Sequence, residues 1–277
     1  MATPIRSSHR IQGALGDILV DVRTGDRGSP RPAVLIAHGF KGFKDFAFLP
    51  ALADRLARAG FTAVTATISG AGVDDAGNFT LLDRFQRNTY SAELADLAAV
   101  LRALDIGEFD TVPPSSVGML GFSRGGGAAV LLASQTPRIS VLATWAAISR
   151  TLRWTAEEAA EWRVKGVVEV LNSRTGQLLP LGTELLDDVE TNGGLLDILV
   201  GARRIAVPWL VVHGTADETV PFEEGEALAR AAGDRATTLW IEGAGHTFGA
   251  VHPFAGMTPA LSGAFDATVS HFARHLP

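Results

Sequence analysis

The chain has 277 residues, 47% of them hydrophobic and 19% charged, which is enough apolar material to close a core. Lys and Arg number 24 against 30 Asp plus Glu, and this net charge of −6, with no long basic run, argues against nucleic acid or an anionic membrane as partner. Absence of cysteine excludes a disulfide scaffold, a thiolate metal site and a cysteine nucleophile.

Residues 1–10 lack the apolar segment of a secretory signal, and the apolar runs near 128–133 and 141–148 fall far short of the ~20 residues that span a bilayer. The expectation is a soluble, cytoplasmic protein with no membrane partner and an open oligomeric state.

In chain order, residues 11–22 read as one or two rather exposed strands interrupted by Gly13, Gly16 and Asp17. Buried strands are predicted at 33–37, 63–68, 117–121, 140–145, 209–212 and 237–241, each a short apolar or β-branched run bounded by Gly, Pro or Ser. Helices fall between them, at 49–59, 89–104, 124–134, 222–232 and 258–275. Leu49, Leu52, Ala53 and Leu56 share one face of the first, and Leu94, Leu97, Leu101 and Leu104 recur at helical spacing in the second. This alternation predicts an α/β fold, a mostly parallel central sheet with helices on both faces.

Residues 150–203 break the alternation. They offer an aromatic helix from Trp154 to Arg163, then two β-rich runs around Asn172-Ser-Arg-Thr-Gly176, which reads as a hairpin turn, then two short helices ending near Gly201. The expectation is a single domain, 1–277, carrying a small cap inserted at about 150–203.

Gly121-Phe-Ser-Arg-Gly125 is a G-x-S-x-G placed between a predicted strand and a predicted helix. A turn that sharp strains the serine backbone and exposes its oxygen, while the glycines let neighbouring backbone pass without a Cβ clash. Two later strands end in His213-Gly-Thr-Ala-Asp217 and Glu242-Gly-Ala-Gly-His246, so Asp217 and His246 also lie beyond strand carboxyl ends, where sites in open α/β sheets assemble. A serine needs a neutral imidazole to take its proton, and the imidazole needs a carboxylate to hold its tautomer. Ser123, His246 and Asp217 are therefore the catalytic candidates, in the chain order Ser, Asp, His. The backbone N–H groups of Phe40, after His38-Gly39, and of Arg124 are candidates for an oxyanion hole.

His38 and His213 read as structural. His252 is a competitor to His246, but it precedes a proline and lies farther from the strand end. The Arg124 side chain has two readings, a salt bridge to the cap or recognition of a substrate carboxylate. Trp154 and Trp162, two turns apart, with Leu178 and Leu179 on the hairpin, are candidates to wall a substrate pocket; packing of the cap onto the body is the competing account of the two tryptophans. Metal-ligand spacing, a P-loop and a complete nucleotide fingerprint are all missing from the sequence, so no cofactor is expected.

The strand, elbow, Asp and His pattern resembles the α/β-hydrolase superfamily of serine esterases and related peptidases. Within it, His38-Gly-Phe-Lys-Gly-Phe-Lys-Asp45 through Ser69-Gly-Ala-Gly72 resembles bacterial cinnamoyl/feruloyl-esterase-like, dienelactone-hydrolase-related and acylaminoacyl-peptidase-like proteins. Dienelactone hydrolases proper use a cysteine nucleophile, which this chain lacks. The resemblance implies a serine hydrolase acting on small carboxylic esters. The alternatives are a serine aminopeptidase or acylpeptide hydrolase, commonly built with a large extra domain, and a non-catalytic ligand-binding homologue.

Overall fold

The computed structural model describes residues 3–276. The chain opens with the hairpin β1 (Ile5–Gln12) and β2 (Asp17–Thr24), then β3 (Ala33–Ala37), α1 (Leu49–Arg58), β4 (Thr62–Thr67), α2 (Leu82–Gln86) and α3 (Tyr90–Asp105). It continues through β5 (Val117–Phe122), α4 (Arg124–Gln135) and β6 (Ile139–Trp145). An excursion follows: α5 (Ala156–Lys165), β7 (Val167–Asn172), β8 (Gln177–Gly182) and α6 (Glu184–Asn192). The alternation resumes with α7 (Ile198–Arg204), β9 (Trp209–Gly214), α8 (Phe222–Ala232), β10 (Ala236–Ile241) and α9 (Pro259–His275).

One sheet takes eight strands in the order β1-β2-β4-β3-β5-β6-β9-β10. Strand β2 is antiparallel to both β1 and β4, and every pairing from β4 to β10 is parallel. The central strands β3, β4 and β5 are buried at every residue, the signature of a sheet covered on both faces. Expected strand and helix positions from β3 onward hold to within one or two residues, whereas the first strand begins at Ile5, six residues before the expected start. One expectation needs correcting: of the two early strands only β1 is exposed, whereas β2 buries Ile18, Val20 and Val22 against the core. Its apolar residues alternate, and the face they share is covered.

The covering helices follow from the same alternation. On β5, a Cβ at Gly118 would strike Phe272 of α9, and one at Gly121 would strike α4, so helices approach the two faces of one strand at glycines. Helix α1 packs with α9, while α3, α4, α7 and α8 pack in succession. Leu49, Leu52 and Leu56 of α1 are fully buried, each contributing about 1.5–3 kcal/mol of apolar burial.

The excursion carries its own two-stranded antiparallel sheet, β7 with β8. It is tied to the body at several points. Lys41 Nζ donates to Leu171 O at 3.0 Å, and Gln177 Nε2 donates to Phe79 O at 3.0 Å. Ser91 at the start of α3 donates its amide to Asp188 of α6 at 3.0 Å. Helix α7 packs between α4 and α8 and so takes the place of an ordinary crossover helix. Among the described residues, no helix is long and apolar enough to cross a membrane.

Candidate active site

Strand β5 ends at Phe122 and α4 begins at Arg124, leaving Ser123 alone to make the turn. Its backbone sits at φ 58°, ψ −122°, a region L-residues rarely adopt. Two close approaches hold it there. A Cβ on Gly121 would lie 2.2 Å from Gly125 O, and one on Gly125 would lie 2.2 Å from His38 O, so only glycine lets the turn close.

His246 and Asp217 arrive from the ends of β10 and β9. His246 Nε2 lies 3.0 Å from Ser123 Oγ, and its Nδ1 lies 2.8 Å from Asp217 Oδ2. A carboxylate can only accept, so Nδ1 carries the hydrogen and Nε2 is free to accept from the serine hydroxyl. The other Asp217 oxygen accepts the amides of Thr219 and Val220, both at 2.9 Å, the local geometry that aspartate imposes on a turn. Burial would raise the Asp217 carboxyl, but His213, His246 and the Val220 amide hold it well below the usual carboxylate range. The three residues form one hydrogen-bonded chain.

The two candidate amides are also in place. Phe40 N–H is taken by no acceptor among the described residues, and Arg124 opens α4, where a helix leaves its first amides unpaired. Gly39 brings the β3 loop against Ser123, since a Cβ there would lie 2.8 Å from Ser123 Cβ. His38 braces that loop: Nδ1 donates to Gly39 O at 2.9 Å and Nε2 accepts from Ile68 N–H at 3.3 Å. Burial pushes its imidazole down to about 4, with Arg124 adding to the effect, so it is neutral near pH 7.

Two cavities meet at Ser123. A partly enclosed one of about 300 Å³ is lined by Tyr90, Arg124 and Ile148 of the body and by Trp154, Trp162 and Leu181 of the excursion. A second, of about 490 Å³, lies between the β3 loop and His246, with Lys41, Phe46, Arg174 and His252 on its wall. His252 makes no hydrogen bond to Ser123, His246 or Asp217; its Nδ1 accepts the Ala47 amide at 3.0 Å.

Several sequence expectations need revision. The Arg124 guanidinium pairs with Glu93 of α3 at 2.8 Å, on the body, so its salt bridge is not to the cap. It also lies 3.9 Å from the Tyr90 ring centroid, a cation–π contact, and its Nη2 has no hydrogen-bond partner. Trp154 precedes α5 instead of sharing its face with Trp162. Thr155 caps that helix in a capping box with Glu158, a Thr-x-x-Glu spacing that was readable in the sequence. The two indoles still meet edge-to-face at 5.5 Å, and both line the smaller cavity.

Leu178 and Leu179 do not line either cavity. Adjacent residues on a strand point to opposite faces. Leu178 is 50% exposed, opposite Leu171 on the outer face, and Leu179 is buried in the core; the lining residue is Leu181, two positions on. The sequence reading also missed Tyr90, Val170 and Leu185, whose only signal was membership of an apolar pattern.

An eight-stranded, mostly parallel sheet with a strained serine between strand and helix defines an α/β hydrolase. The chain belongs to the dienelactone hydrolase family, whose model matches residues 21–165. Alpha/beta hydrolase domain-containing protein 17B from Homo sapiens is 44% identical over 43 residues, which is 16% of this chain and 15% of that protein. Est1E from Butyrivibrio proteoclasticus superposes with a TM-score of 0.69 at 17% identity, covering 96% of this chain and 98% of that one. An acylaminoacyl peptidase from Pyrococcus horikoshii gives 0.69 at 14% identity, covering all of this chain and 42% of that one.

Proposed function

We propose that this chain is a serine hydrolase that cleaves carboxylic esters of small substrates through an acyl-enzyme, without a cofactor. The observation that supports this most is the chain of hydrogen bonds from Ser123 through His246 to Asp217, with the serine held in a strained elbow. In this reading Ser123 Oγ attacks the ester carbonyl and passes its proton to His246 Nε2. The carbonyl oxygen becomes an oxyanion held by the Phe40 and Arg124 amides, each such donor being worth about 10²–10³ in rate. Collapse expels the alcohol, which takes the proton from His246. Water then attacks the acyl carbonyl, gives a proton to the same nitrogen, and releases the acid with Ser123 restored.

The acyl group occupies the smaller cavity, against Trp154 and Trp162, and water and the alcohol use the larger one. Est1E is one neighbour solved with ferulic acid bound, which makes aromatic acyl groups a sensible first panel. The cysteine-free composition fits a cytoplasmic setting, which is part of the same proposal.

The test is labelling with an active-site-directed fluorophosphonate. Wild type should be labelled and Ser123→Ala should not; an unlabelled wild type would mean a ligand-binding protein on a hydrolase fold. Short p-nitrophenyl esters against aminoacyl-anilides then separate esterase from peptidase, with faster anilide turnover overturning the ester reading.

A further inference from the structure

His213 is a fully buried histidine beside the triad to which the proposed chemistry assigns no work. It stands on β9, whose following loop delivers Asp217. Its Nε2 is 2.9 Å from Val220 O and 3.4 Å from Asp217 Oδ2, the same oxygen that accepts from His246. A carbonyl only accepts, so Nε2 carries the hydrogen and gives it to Val220 O, with Asp217 Oδ2 beside it at the longer distance. Nδ1 is buried and unpartnered, facing Gly225 of α8, where a Cβ would lie 2.5 Å away. The ring is thus clamped between the strand and the first turn of the helix, with the Phe222 ring nearly perpendicular to it and the centroids 6.1 Å apart. Among the described residues, no other charged side chain is bonded to the His213, Asp217 and His246 cluster.

We propose that His213 is a positioning residue for the catalytic acid: its Nε2–H fixes the rotation of the Asp217 carboxylate and withdraws charge from Oδ2. This rests on the reading of Ser123, His246 and Asp217 as a catalytic triad. Asp217 then has all four N–H donors it needs: two amides on Oδ1 and two imidazoles on Oδ2. Two contributions follow. The carboxylate cannot swing off His246 Nδ1 while Val220 O anchors the His213 imidazole beside it. Sharing Oδ2 also tempers its pull on His246, so the imidazolium formed during attack is stabilised without being trapped.

Replacing His213 by leucine removes the donor and keeps the volume. His213→Gln keeps an amide N–H of similar reach. The leucine variant should lose about tenfold to a hundredfold in kcat with KM nearly unchanged, short of the ~10⁴ that follows loss of tautomer control. An Oδ2 freed of one donor holds imidazolium more tightly, so the acid limb of the pH–rate profile should move to higher pH. His213→Gln should restore both. A folded leucine variant with wild-type kcat and an unmoved acid limb overturns the proposal, as does equal loss in both variants with the limb unmoved.

Two NMR measurements need neither turnover nor the leucine variant. In ¹⁵N-histidine-labelled wild type His213 should be the Nε2–H tautomer, and an Nδ1–H form overturns the proposal. The far-downfield His246 Nδ1–H resonance should stay near its wild-type position in His213→Gln, whose amide N–H replaces the imidazole donor. A resonance lost or strongly displaced there counts against His213, whereas an unlabelled wild type in the fluorophosphonate test sinks the triad reading itself.

Discussion

The two cavities that meet at Ser123 are built and charged differently. The smaller one takes one wall from the excursion, and both its arginines are matched inside the protein. Arg124 faces Glu93 at 2.8 Å, and Arg153 faces Glu224 at 2.9 Å. The larger cavity is almost all body loop, with only Ser173 and Arg174 overhanging from the hairpin. Its two cations have no carboxylate among the described residues. Lys41 and Arg174 donate to backbone carbonyls instead, and burial together with Arg174 pushes the Lys41 amine down. One side is an electrically matched pocket, and the other is a vestibule whose two cations are left to backbone carbonyls. Burying an unmatched charge is costly, so matching is needed only where water is excluded.

The largest effect should come from the residue both cavities share. Ser123→Ala should lower ester turnover by about five to six orders of magnitude with an unchanged melting temperature. Retention of even a tenth of wild-type kcat would place the chemistry elsewhere.

The next test strikes the matched side. Arg124→Leu strands a buried Glu93, whose carboxyl burial already pushes up against the opposing effects of Arg124 and Asn88. Urea denaturation should show a loss of about 3–5 kcal/mol, mostly recovered when Glu93→Gln is added. The Arg124 amide proposed for the oxyanion is backbone, so it survives the substitution. A loss under about 1 kcal/mol would deny that the pair balances the pocket.

Acid should act through the buried histidines beneath the site. Folded His38 titrates near 4, whereas an unfolded histidine titrates near 6.5, so the unfolded chain binds the extra proton in between. Stability should therefore fall as pH drops from about 6.5 to about 4, by on the order of 3 kcal/mol from His38, and then level off in this contribution. His271, also pushed down to about 4 by burial, adds in the same direction. A urea midpoint that stays flat across that window in wild type would contradict it.

On the vestibule side the effect should be smallest. Arg174→Ala removes the donation to Lys41 O and the stacking over Phe46, 4.7 Å from the ring centroid, and should cost about 1 kcal/mol or less. A loss approaching that of Arg124→Leu would erase the distinction between the two sides.

Much of the site was legible because its signals are local. Ser123 declares itself through glycines on either side, and Asp217 and His246 each follow a strand by only a few residues. The pocket wall was less legible. Choosing Leu178 with Leu179 ignored strand alternation, and placing Trp154 on a helix face ignored the Thr155 cap, which leaves Trp154 two steps before the helix proper. Val170 and Leu185 carry no local mark at all, since an apolar residue facing a cavity and one facing the core look alike in sequence.

The sequence by itself determined the parallel sheet, the elbow and the order of Ser, Asp and His, because periodicity and turn chemistry act over a few residues. Only the tertiary structure decided that Arg124 turns to Glu93, that His213 reaches Asp217, and which hairpin residues line the pocket. Those outcomes depend on which distant segments pack together and on where water is excluded, and neither is written in any short stretch of chain.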